Sequence, residues 1–94
     1  MVVGKCLVRL RLNGTRSLKD KRRVIQSVLT RMCREFGVAC AEVGENEAWG
    51  RAVLGVACVS NDGGHAQDVL RRAILWLEGN IDGEVLSSEI ELIA

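Results

Sequence analysis

Five cations crowd into eight residues, Arg16-Ser-Leu-Lys-Asp-Lys-Arg-Arg23, namely Arg16, Lys19, Lys21, Arg22 and Arg23. Charges of one sign at this spacing repel one another, and an anion relieves them. Phosphate suits the purpose, because its oxygens match the planar fork of Arg and the point charge of Lys. The segment also opens a helical pattern, where the macrodipole favours negative side chains. Each cation there costs on the order of 0.3 kcal/mol at low salt. A phosphate beside the free N–H groups of Ser17 to Lys19, flanked by Arg16 and Lys19, would offset that cost. The candidate phosphate-binding set is therefore Arg16, Ser17, Lys19, Lys21, Arg22 and Arg23. The competing reading is that these long side chains fan into water or meet acids of the same chain.

Other residues with chemical potential carry weaker signals. Asn13-Gly-Thr-Arg16 is a loop after a strand, the place where an acylphosphatase-type enzyme grips phosphate, but it lacks that family's glycine-rich arginine signature. Asp62 and His65 have the types for acid-base work, yet their place before and within a second helix favours a cap and a surface residue. No catalytic residue is assigned. The cysteines, Cys6, Cys33, Cys40 and Cys58, include no C-x-x-C pair and sit in apolar stretches, and His65 is the only histidine. They read as four buried thiols in a reducing compartment, with no metal and no cofactor expected. Trp49 lies in a polar loop beside Arg51, and the two are candidate contacts for a base or a partner chain. Packing of Trp49 back onto its own hairpin is the plainer expectation.

Six elements must position these groups. Val2 to Leu12 alternates, with Cys6, Val8, Leu10 and Leu12 on one side and Lys5, Leu7, Arg9 and Arg11 on the other, a half-buried strand. Ser17 is an N-cap ahead of Leu18, Ile25, Val28, Leu29, Met32 and Phe36 at helical spacing, and Gly37 ends that helix. Val38 to Val43 and Ala52 to Val59 form a hairpin around the loop Gly44 to Gly50. Ser60-Asn61-Asp62 then caps a second helix with an apolar stripe of Ala66, Val69, Leu70, Ala73, Trp76 and Leu77. Asn80 and Gly83 close it. The last strand, Glu84 to Ile93, alternates Leu86, Ser88, Ile90 and Leu92 against Ser87, Glu89 and Glu91.

This order, βαββαβ, predicts a single α+β domain over residues 1–94 of ferredoxin-like form, one antiparallel four-stranded sheet with both helices on one face. The third strand is apolar on both sides, and Leu7 points away from the helices. A homodimer through the open sheet face is the simplest cover. Glu45, Glu47, Glu78, Asp82 and Glu84 should emerge at the same end as Arg16 and compete for its charge. Glu89 and Glu91 are expected opposite Arg9 and Arg11.

The net charge of +1 conceals an asymmetry: residues 1–34 hold ten basic residues against Asp20 alone, a net of +9, and the remainder carries −8. The longest apolar run, Ala52 to Val59, is far shorter than the roughly 20 residues a membrane-spanning helix needs. The first residues lack a basic segment leading into an apolar one. A cytoplasmic protein without membrane contact is expected.

Ser17-Leu-Lys-Asp-Lys-Arg-Arg-Val24, Ala41-Glu-Val43, Trp49, Arg51-Ala-Val-Leu-Gly-Val-Ala-Cys-Val-Ser-Asn-Asp62 and Glu89-Ile-Glu-Leu92 together resemble the YlxP-like family (domain of unknown function 503) of small uncharacterised bacterial proteins. Asp20 departs from the Glu usual there and keeps its charge. The resemblance implies a ferredoxin-like fold and, because such genes often lie beside those for translation and ribosome maturation factors, contact with RNA or a ribosomal subunit. It implies no catalytic residues. The leading expectation is a non-catalytic RNA- or ribosome-associated binder. The alternatives are an acylphosphatase-like enzyme and a homodimeric protein-interaction module. Aromatics are confined to Phe36, Trp49 and Trp76, too few for base stacking across the sheet as in an RNA recognition motif.

Overall fold

The computed structural model describes residues 1–94. Alternating side chains make β1 (Val2–Leu12) a strand whose Cys6, Val8, Leu10 and Leu12 are buried while Lys5, Leu7 and Arg9 face out. Then follow α1 (Leu18–Phe36), β2 (Ala39–Gly44), β3 (Arg51–Ser60), α2 (Gly63–Asn80) and β4 (Gly83–Ile93). The sheet is antiparallel in the order β2-β3-β1-β4, which places β1 and β3 at the centre, as the βαββαβ order predicts.

Both helices cover the same side of the sheet. Ile25, Val28 and Met32 of α1 and Leu70, Ala73, Ile74 and Leu77 of α2 join β1 and β3 side chains in one cluster of 15 buried residues. Each Ile, Val, Leu or Met among them contributes about 1.5–3 kcal/mol by leaving water. The helix ends follow the capping rules. Ser17, extended at φ −160°, accepts the Asp20 N–H at 3.1 Å, and Gly37 takes the left-handed φ of 64° and donates its N–H to the Cys33 carbonyl. Asp62 caps α2 by accepting from Gly64 N–H at 3.0 Å.

Three details depart from expectation. β4 carries a bulge opposite Arg9 and Leu10, so Arg9 faces Ser87 and Leu10 faces Val85. Leu86 is thereby turned out and exposed, and Val85 takes the place against the core. The register also overturns the expected pairing of Glu89 and Glu91. Glu91 lies opposite Lys5, with their charges 3.3 Å apart, Glu89 opposite Leu7, and Arg11 pairs instead with Glu84 at 3.1 Å. Antiparallel strands cross in reverse order, so the acids near the end of β4 meet the beginning of β1. Gly83 begins β4 and does not cap α2, which ends at Asn80 with Ile81 extended.

Candidate functional site

The helical repeat sorts the basic segment into two groups. Lys19, Arg22 and Arg23 fall within about 100° of the α1 circumference, and all three, with Arg16 just before the helix, are exposed. Lys21 is on the opposite side. It is 0% exposed, and its ammonium donates to the carbonyl oxygens of Glu45 at 2.7 Å and Arg51 at 3.1 Å. The Glu42 carboxylate, 16% exposed, lies 2.9 Å away as counter-ion. Glu42 Oε2 is itself buried, with no directed hydrogen bond beyond this charge contact. Lys21 is therefore removed from the phosphate-contact set. It ties α1 to the β2–β3 hairpin. The sequence held a signal for this, because Lys21 stands four residues before Ile25 and seven before Val28, on the apolar stripe.

The remaining cations keep their charge unpaired. The ion pairs of the structure are Lys5–Glu91, Arg11–Glu84, Lys21–Glu42 and Arg72–Asp68, and Arg16, Lys19, Arg22 and Arg23 enter none of them. Of the acids expected to compete at that end, Glu84 alone pairs, and it pairs with Arg11. Ser17 spends its oxygen on the Asp20 N–H, and Asp20 in return accepts the Arg16 N–H at 3.2 Å. This reciprocal cap places one carboxylate at the helix start and leaves the N–H groups of Leu18 and Lys19 without intrahelical acceptors.

The loop Asn13 to Arg16 is tied at the surface to the α2–β4 connection and to the hairpin loop. Asn13 donates its N–H to the Asp82 carbonyl at 2.8 Å and its amide to the Asp82 carboxylate at 3.4 Å, while Arg11 donates to the Asn13 side-chain oxygen at 2.6 Å. A cleft of about 320 Å³ beside it is lined by Asp20, Arg23 and Asp82. Two carboxylates against one guanidinium make that cleft unfavourable for an anion. Thr15 Oγ1 donates to the Trp49 carbonyl at 2.7 Å, which fastens the hairpin loop beside the basic segment. Trp49, expected to pack back onto its hairpin, is 56% exposed. Arg51 is also exposed, with its carbonyl held by Lys21. Trp76 packs edge-to-face on Phe36, centroids 6.1 Å apart, under the Arg31 guanidinium. His65 is exposed near the start of α2, at the opposite end of β3 from Arg51.

The open sheet face holds a shallow groove of about 570 Å³ over Ala39, Ala41, Gly55 and Ala57, bordered by Leu7 and Val43. Lys5, Arg9, Arg11 and Arg51 lie on the central strands of that face, and Glu84, Glu89 and Glu91 on β4 beside them. No helix is long and apolar enough to cross a membrane.

A solved structure with this architecture is that of SnoaB, a cofactor-independent oxygenase from Streptomyces nogalater. It superposes with a TM-score of 0.52 at 15% identity over 98% of this chain and 91% of that one, a likeness of fold. A protein of Bacillus subtilis (strain 168), described as uncharacterized protein YlxP, is 34% identical over 62 residues, 66% of this chain and 67% of that protein. The family described as protein of unknown function (DUF503) matches residues 3–90, which include α1, the buried Lys21–Glu42 pair and the hairpin that carries Trp49. By that match and that relative, the chain belongs to the DUF503 family.

Proposed function

We propose that this protein is a non-catalytic RNA binder, with structured or ribosomal RNA as its partner, that reads the phosphate backbone through Arg16, Lys19, Arg22 and Arg23. The observation that carries the reading is that these four exposed cations share one end of α1 and lie in no ion pair. Counterion release from RNA supplies the driving force, and each phosphate neutralised contributes to the salt dependence. Trp49, exposed and fastened to the same end through Thr15, offers a ring face for an unstacked base. The enzyme alternative is weakened by Asp20 and Asp82, which face the loop where an acyl phosphate would sit.

The test is binding to ribosomal subunits and structured RNA across a salt series, comparing wild type with Lys19→Glu/Arg22→Glu/Arg23→Glu. Loss of three phosphate contacts should flatten the slope of log K against log salt by about 2–3. Equal binding by both proteins, or none by either at low salt, rejects the proposal.

A homodimer through the open sheet face is a second reading, favoured by the groove over Ala39, Ala41, Gly55 and Ala57 and by the adjoining basic and acidic strips. A two-fold arrangement lays the acids of one β4 over the cations of the partner's central strands. Sedimentation of wild type and Leu7→Asp at several concentrations decides it. Monomeric wild type at every concentration removes it.

A further inference from the structure

Two of the four thiols meet. Cys33 lies near the end of α1 and Cys40 is the second residue of edge strand β2, and the left-handed Gly37 turns the chain between them. Their sulfurs are 2.8 Å apart, between the roughly 2.05 Å of a bonded pair and ordinary nonbonded contact. Cys40 also directs its thiol at the Leu29 carbonyl, 3.4 Å away. Both cysteines line a groove of about 750 Å³ between α1 and β2, open to a small reagent. By contrast Cys6 is buried in the core, and Cys58 points its thiol at the Ala66 carbonyl. The four thiols are free, so this pair is a reduced dithiol already held in bonding proximity.

We propose that Cys33 and Cys40 are an oxidisable dithiol, converted to an intramolecular disulfide by exchange with a low-molecular-weight disulfide such as glutathione disulfide. Cys33 gives up its proton to solvent and bonds to one sulfur of the reagent, and the other leaves as a thiolate that takes up a proton. Cys40 then loses its proton and attacks Cys33 Sγ, and the second glutathione leaves and is protonated in turn. Two protein thiols are oxidised and one reagent disulfide is reduced to two thiols. The order follows from Cys40's surroundings. Burial first, then the hydrogen bond and charge of the Cys33 sulfur, push its thiol from 9.0 up to about 12. The Cys33 contribution disappears once Cys33 is in the mixed disulfide. The new bond fastens edge strand β2 to α1 near the C-terminal end of the helix, and the proposal depends on no RNA contact.

The folded protein is incubated with glutathione disulfide at pH 8, quenched in acid and mapped without reduction. Trypsin cuts after Arg31, Arg34 and Arg51, which separates Cys33 from Cys40. The expected product joins the fragments Met32–Arg34 and Glu35–Arg51, with Cys6 and Cys58 still free. In Cys40→Ser the glutathione adduct on Cys33 should accumulate, and in Cys33→Ser Cys40 should remain unmodified. Wild type that keeps four free thiols, or whose bonds involve Cys6, Cys58 or a second chain, overturns the proposal, and this readout needs neither variant to fold.

Discussion

Replacing Lys21 with methionine preserves most of the side chain's apolar stem and removes the ammonium alone. In the folded protein that ammonium is fully buried and is held by the carbonyl oxygens of Glu45 and Arg51 and by the Glu42 carboxylate. Lys21→Met therefore leaves a largely buried carboxylate with no counter-ion, and breaking a buried pair in this way costs about 3–5 kcal/mol. Against the roughly 5–15 kcal/mol of a whole domain this is a large fraction. For a chain of this size it lowers Tm by roughly 15–25 °C. Urea unfolding monitored by circular dichroism measures the loss directly. Lys21→Met/Glu42→Leu removes both charges and should recover most of the ionic part, because well-packed apolar replacements of buried pairs are close to neutral. The bonds to Glu45 and Arg51 stay broken in the double variant, so recovery should be incomplete. A Lys21→Met protein within about 1 kcal/mol of wild type, the value expected for an exposed lysine, would refute the assignment of Lys21 to the interior.

Gly83→Ala should destabilise by more than about 2 kcal/mol, since an added Cβ would collide with the Arg11 carbonyl oxygen at a φ of 159°. Thermal unfolding near the wild-type Tm would show that β4 can move away from β1 without cost. Cys40, with its thiol pushed up to about 12, should alkylate with iodoacetamide at a rate that climbs about tenfold per pH unit from pH 8 to beyond 10. Levelling near the ordinary value of 9.0 would contradict the burial and sulfur contact assigned to it. The sign for stability is the same. The raised value favours the neutral thiol in the folded state, so this contribution is present below 9.0 and is lost as pH rises toward 12. Chemical unfolding repeated between pH 8 and 10.5 checks that decline.

Much of the fold was legible residue by residue. The alternation in Val2–Leu12, the cap at Ser17, the stop at Gly37 and the stripe from Ala66 to Leu77 each act over one strand repeat or a few helical turns, and local sterics and hydrogen bonding decide them. Helical geometry also holds the division of the basic segment into an exposed Lys19, Arg22 and Arg23 and an inward Lys21, although the residue types alone grouped all of them as phosphate contacts.

Element order, the faces of β1 and the helices, and the charge separation between the first third and the rest all follow from the order of residues. The partners that spend each charge are set by long-range packing. Lys21 is consumed because residues some twenty to thirty positions later, Glu42, Glu45 and Arg51, fold over it. The bulge in β4 decides that Leu10 meets Val85 and Arg11 meets Glu84, and a shift of register by one residue cannot be read from alternation that it interrupts. The meeting of Cys33 with Cys40 depends on the turn at Gly37 and on the packing of β2 against α1. In each case the deciding contact joins separate elements, and local propensity carries no information about which distant group arrives there.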